Sequence, residues 1–131
     1  MERTLLIIKP DGVKRKLIGK IISRIEEKGF DILAIKSLKL TIKEAKEFYK
    51  IHKGKDFYPS LCRFMASGPI VVILLAGKDS QRRLRELVGD TDPKKAKKGT
   101  IRGDFGTSIQ KNVVHAANPK EDVEREIKFF F

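Results

Sequence analysis

An α/β domain is what this sequence predicts, on three observations. Short aliphatic runs alternate with segments whose apolar residues recur at helical spacing, turn and capping signals bound the runs, and 131 residues suit one domain with a core of its own. Alternation of this kind gives a parallel sheet flanked by helices. A four-stranded sheet with helices packed on one face, the split βαβ arrangement, fits the same order. The pattern alone does not separate the two.

The elements follow in order. Arg3 to Lys9, R-T-L-L-I-I-K, reads as a buried strand running into the turn signal Pro10-Asp11-Gly12. Leu17, Ile18, Ile21, Ile22 and Ile25 share one face of a helix that Gly29 is placed to end. Asp31 to Lys39 is a second strand, too short for a helix. Thr41 and Glu44 form a capping box that opens a helix from about Ile42 to His52. A short helix follows Pro59, Ser67-Gly68-Pro69 breaks it, and Ile70 to Leu75 is a buried strand. Asp79 to Val88 carries Leu84, Leu87 and Val88 on one face, and Gly89 ends it. Asp90 to Gln110 shows little periodicity and reads as a long loop, a length that in compact domains marks function or disorder. Val113 to Ala116 is a last strand. Asn118 caps a final helix, with Pro119 in its first turn and Glu121 completing a capping box. No repeat or linker divides residues 1–131, which read as a single domain.

Composition narrows the function classes. A 40% hydrophobic and 35% charged chain is globular rather than disordered, and its longest apolar run, Ile70 to Ala76, is too short to span a bilayer. The start M-E-R-T-L-L-I-I-K-P-D lacks a secretory signal, and one cysteine, Cys62, permits no internal disulfide; together these favour the cytoplasm. Cys62 reads as a small buried hydrophobe. The net charge of +12, densest at D-P-K-K-A-K-K-G-T-I-R, attracts polyanions: nucleic acid, an anionic membrane surface or a phosphorylated small ligand. Lysine-rich surfaces also accompany adaptation to heat.

His52, near a helix end among lysines, reads as exposed or capping. His115 ends the apolar run V-V-H just before a helix N-terminus, where free N–H groups favour an anion. Glu126, two turns into the following helix, can fold back and orient the imidazole. Lys9 ends the first strand, Arg85 lies on the helix before the long loop, and Arg102 lies within that loop. Each alone is a surface charge; converging on His115 they make a phosphate clamp round a nucleophile. The R-G-D-F-G segment, Arg102 to Gly106, contains two decoys. No H-R-D loop or room for a protein-kinase fold accompanies D-F-G, R-G-D adhesion needs an extracellular protein, and neither G-x-x-x-x-G-K-[ST] nor G-x-G-x-x-G occurs.

K-P-D-G-V at Lys9 to Val13, S-G-P at Ser67 to Pro69, G-T-I-R-G-D-F at Gly99 to Phe105, N-V-V-H-A at Asn112 to Ala116 and E-R-E-I at Glu124 to Ile127 resemble nucleoside diphosphate kinases. The resemblance runs in order along essentially the whole chain. It implies a ferredoxin-like split βαβ fold, α+β in class, with a four-stranded antiparallel sheet and helices packed around it. It implies ping-pong transfer of a γ-phosphate from a nucleoside triphosphate such as ATP to a nucleoside diphosphate, through a pros-phosphohistidine at His115 oriented by Glu126. By the same resemblance Lys9, Tyr49, Arg85, Thr91 and Arg102 hold phosphates, Lys9 and Asn112 contact the ribose, and Phe57 and Ile109 sandwich the base without reading its edge. Mg²⁺ is implied on the nucleotide phosphates rather than in a protein cage, as is a homo-oligomer, hexamer or tetramer, contacted through the loop bearing Pro93.

Some positions depart from the family pattern. Ala117 stands where serine is usual, a loss of about 1 kcal/mol of hydrogen bonding that tunes rather than abolishes activity. Ala116, Asn118 and the pair Lys55-Asp56 replace frequent Gly, Asp and Arg-Pro, and bear on nucleotide affinity. The terminal run Phe129-Phe130-Phe131 is expected to be buried in the subunit or an interface. A rival reading, a nucleic-acid-binding protein without enzymatic activity, rests on the +12 charge, and a secondary nucleic-acid role is compatible with the enzyme reading.

Overall fold

In a computed structural model that describes residues 1–119 and 122–131, four strands and seven α-helices fold in the order β1 (Glu2–Ile8), α1 (Pro10–Lys14), α2 (Ile18–Glu27), β2 (Asp31–Leu38), α3 (Ile42–Phe48), a 3₁₀ turn (Lys50–His52), α4 (Tyr58–Met65), β3 (Ile70–Gly77), α5 (Ser80–Val88), α6 (Ile101–Phe105), β4 (Val114–Ala116) and α7 (Val123–Phe130). The sheet order is β2-β3-β1-β4 and every neighbouring pair is antiparallel. The parallel sheet suggested by alternation is therefore corrected. β1 and β2 do run the same way, as a β-helix-β crossover requires, but β3 inserts between them and opposes both. Periodicity reports the crossover and is silent on what fills the gap. The fold is the α+β ferredoxin-like one.

Helices cover both faces of the sheet rather than one. The period of two along β1 sends Leu5 and Ile7 into a core with Val72, Leu74, Phe48, Met65 and Ile127, under α3, α4 and α7. Leu6 and Ile8 face the other way, onto Ile73, Ile21, Ile25, Leu84 and Ile101, under α2, α5 and α6. Buried on both faces, β3 reads I-V-V-I-L-L-A-G without polar alternation. At the edge, β2 leaves Leu33 and Ile35 about half exposed.

Several boundaries move. The expected capping box of α3 is present, Thr41 Oγ1 accepting from the Glu44 N–H and Glu44 Oε1 from the Thr41 N–H. The helix it opens stops at Phe48 and tightens into the 3₁₀ turn. The long Asp90 to Gln110 loop contains α6, capped by Thr100, whose Oγ1 accepts from the Gly103 N–H at 3.0 Å. At α7 the cap is Asp122, not Asn118, so the helix starts later than expected; the Glu121 part of the predicted capping box lies outside the described residues. Cys62 is fully buried, and burial pushes its thiol up. Phe130 is buried and Phe131 half exposed. No helix among the described residues is long and apolar enough to cross a membrane.

Candidate active site

The site is built at the C-terminal end of β1, where antiparallel β4 begins beside it and Ile7 pairs with His115. Two residues before β4's centre the chain bends sharply. Val113 has φ of +79°, and the Val114 N–H reaches back to the Asn112 carbonyl at 3.0 Å, a γ-turn of the strained, positive-φ kind. Such a conformation in a β-branched residue persists only where its surroundings over-determine it. Here they do. The Val113 N–H donates to Asp11 Oδ2 at 3.1 Å, and its carbonyl accepts the Lys9 N–H at 2.8 Å. A Cβ on Gly12 would meet Val113 Cγ1 at 3.0 Å and its carbonyl oxygen at 3.1 Å. Thus K-P-D-G is the cradle of the turn that separates Asn112 from His115. Asp11→Ala is expected to cost about 1–3 kcal/mol of stability, by leaving a buried N–H unpaired, and to lower kcat more than it raises KM. Denaturant unfolding and steady-state kinetics check both.

His115 Nε2 lies 2.7 Å from Glu126 Oε1, and the carboxylate is almost wholly buried. A carboxylate accepts, so this contact assigns the proton of a neutral imidazole to Nε2 and leaves Nδ1 as the lone-pair nitrogen. Glu126 does this from the first turn of α7, not from two turns in, because the helix begins at Val123. Phe48 and Tyr49 meet the imidazole edge-on, with ring centroids 5.5 and 5.8 Å away.

Around this histidine the chain gathers buried cations. Arg102 is only 4% exposed; Nη1 donates to the Gly89 carbonyl at 3.1 Å and Nη2 to the Val114 carbonyl at 2.9 Å, while Nε has no partner among the described residues. Gly103 lets the segment before α6 fold tightly onto it, since a Cβ there would stand 2.1 Å from the Lys97 carbonyl oxygen. Burial, with the neighbouring Arg85, holds the Arg102 guanidinium down at about 10. Lys9 Nζ donates to Asn112 Oδ1 at 2.8 Å and to the Gln110 carbonyl at 3.3 Å. Burial drives this ammonium down to about 7; Arg102 adds to the effect and Asp11 opposes it. Positive charge held in a dry site with so little compensation suits an anionic ligand.

A cleft of about 360 Å³ brings these groups together. Nine of the ten residues singled out from sequence line it: Lys9, Tyr49, Phe57, Arg85, Thr91, Arg102, Ile109, Asn112 and His115, with Glu126 behind the histidine. Phe57 and Ile109, 47% and 61% exposed, stand at its mouth. A larger hollow of about 860 Å³, between α5 and the 91–100 segment, shares Arg85, Thr91 and Asn118 but does not reach His115. Ala116 and Asn118, noted from sequence as departures that bear on nucleotide affinity, also line it; sequence reasoning missed three cleft residues, Leu61, Gln110 and His52. His52 was read as exposed or capping; it lines the cleft instead, its ring 6.3 Å from Tyr49 and 5.3 Å from Phe57. The Tyr49-to-His52 spacing on one helical face was the available signal.

Fold and site together define an α+β domain with a cation-lined cleft built on a carboxylate-bound histidine. A sequence profile of the family described as Nucleoside diphosphate kinase matches residues 2–131. A nucleoside diphosphate kinase of Helicobacter pylori (strain Shi470) is 51% identical over 99% of this chain and 95% of its own length. One from Methanocaldococcus jannaschii is 50% identical over 99% and 93%. Among solved structures, the Aquifex aeolicus enzyme superposes with a TM-score of 0.96 at 42% identity, covering 99% of this chain and 94% of that one. The Halobacterium salinarum enzyme, solved in complex with CDP, does so with a TM-score of 0.96 at 40% identity, over 99% and 87%. The chain belongs to the nucleoside diphosphate kinase family and is a nucleotide-binding phosphotransferase.

Proposed function

We propose that this enzyme moves a γ-phosphoryl group between nucleotides by a ping-pong mechanism, with His115 as the covalent carrier. The observation that carries the reading is the 2.7 Å contact of Glu126 with His115 Nε2, which reserves Nδ1 for the cation-lined cleft. Nδ1 attacks the γ-phosphorus of a bound nucleoside triphosphate, the bond to the β-phosphate oxygen breaks, and the diphosphate leaves with that electron pair. The imidazole becomes cationic as its P–N bond forms, and the buried Glu126 carboxylate stabilises the Nε2–H that remains. A second nucleoside diphosphate reverses the step and restores free His115. Lys9, Arg85 and Arg102, with Tyr49 and Thr91, hold the phosphates, and Lys9 and Asn112 the ribose. Phe57 and Ile109 flank the base, and apolar walls that touch base faces rather than edges give broad base specificity. Initial rates at varied donor and acceptor should give parallel double-reciprocal lines; intersecting lines would refute the covalent carrier.

The cleft residues fit a magnesium ion that arrives on the nucleotide. Among the described residues no carboxylate lines the cleft, and no group of three or more His, Cys, Asp or Glu is arranged to hold a metal. Bound with the nucleotide, the ion neutralises phosphate charge. We extend the reading to a cytoplasmic homo-oligomer, supported by edge strand β2, whose Leu33 and Ile35 are exposed beside unpaired backbone. The nucleic-acid-binding alternative leaves the buried cations around His115 without a use.

Lys9 makes the reading testable by pH. Its folded value, about 7, lies below the ordinary 10.5, so between the two the unfolded chain holds a proton that the folded chain does not. Stability of the ligand-free enzyme should therefore rise with pH from about 7 to 10.5, the burial cost being fully present below about 7. Phosphate beside the ammonium raises that value again, so nucleotide binding at pH 8 should take up a proton. Calorimetry in buffers of different ionisation enthalpy measures the uptake, which Lys9→Met should remove.

A further inference from the structure

The cleft mouth has two walls from distant parts of the chain. One is the start of α4, with Phe57 at its N-cap; the other is the 106–112 segment, with Ile109 at its tip. The second wall is anchored on its inner side, where Asn112 Nδ2 donates to the Ile109 carbonyl at 2.9 Å and Lys9 Nζ to the Gln110 carbonyl. Across the cleft a side-chain bond joins the walls: Gln110 Nε2 donates to Ser60 Oγ at 2.8 Å, between residues fifty positions apart. Both residues are partly buried, and Ser60 sits one turn past Phe57, to whose carbonyl its hydroxyl reaches at 3.5 Å.

We infer that Gln110 and Ser60 are positioning residues that latch the two walls of the base slot at a fixed separation. The inference rests on the reading of Phe57 and Ile109 as the walls that hold the base. Neither side chain is placed among the groups around His115; the bond acts by fixing the walls that carry Phe57 and Ile109 before the nucleotide arrives, so that less order is lost on binding. It also spends an amide N–H that would otherwise face base edges, in keeping with a slot that does not discriminate among bases.

The test is a double-mutant cycle on the intact enzyme, with ATP as donor and either UDP or GDP as acceptor. Gln110→Ala and Ser60→Ala should each raise KM for both acceptors about three- to tenfold, with kcat changed less than about twofold. The double variant should show no larger rise than either single one, and Ser60→Thr, which keeps the hydroxyl, should restore KM. Additive effects, or unchanged KM in either single variant, would overturn the latch. So would a base-selective change in Gln110→Ala alone, which would make Gln110 a reader of base edges. Phe57→Ala separates the two levels of the argument. If it raises KM while the latch variants do not, the latch fails and the slot stands; if it too is silent, the slot itself is misplaced.

Discussion

His115→Gln is expected to abolish turnover, by on the order of 10⁴-fold or more, while nucleotide still binds. Glutamine keeps a polar side chain of similar reach but has no basic nitrogen at the Nδ1 position, so no bond to phosphorus forms. The buried cations proposed to hold phosphate, Lys9 and Arg102, are fixed by Asn112 and by the carbonyls of Gly89 and Val114, not by the imidazole. Binding measured by calorimetry with a nucleoside diphosphate should therefore stay within about tenfold of wild type. Loss of binding together with turnover would mean that His115 organises the cleft rather than reacting in it.

Arg102→Ala should lower kcat/KM by roughly 10²–10³-fold, the scale seen when one preorganised donor to a developing charge is removed. It should also destabilise the fold, because one guanidinium ties α6 to the end of α5 at Gly89 and to β4 at Val114, the residue before His115. The buried Val114 carbonyl loses its donor at a cost of about 1–3 kcal/mol, and the part-buried Gly89 carbonyl adds less. Arg102→Lys keeps the charge but cannot bridge both carbonyls, and should fall between wild type and alanine in melting temperature and activity alike. A lysine variant with full activity would reduce Arg102 to a point charge.

What sequence made legible, and what it did not, follows from the range of the interactions. Local rules found the capping box of α3, the burial of β3 and the apolar face of α5, since each is written in residues adjacent or three or four apart. The antiparallel sheet was not local: it depends on β3 entering between β1 and β2, and only the family resemblance pointed to it. His115 and Glu126 were legible as a pair because eleven residues and one helix start separate them. The positive φ of Val113 was hidden, since valine is among the residues least suited to it, and only the distant Asp11 and Gly12 make it tolerable. R-G-D-F-G falls in the stretch that reads from sequence as a long loop. Instead it is most of a short helix, whose glycines admit the Lys97 carbonyl and Pro93 to close contact. The Gln110–Ser60 bond joins loop to helix across the cleft, beyond any spacing rule.

The covalent carrier proposed is His115 Nδ1. Incubating the enzyme with [γ-³²P]ATP and no acceptor should leave one acid-labile, base-stable phosphate per chain, located on Nδ1 of His115, and discharged by any added nucleoside diphosphate. An unlabelled wild-type enzyme that still transfers phosphate, or a label that persists in His115→Gln, would contradict it.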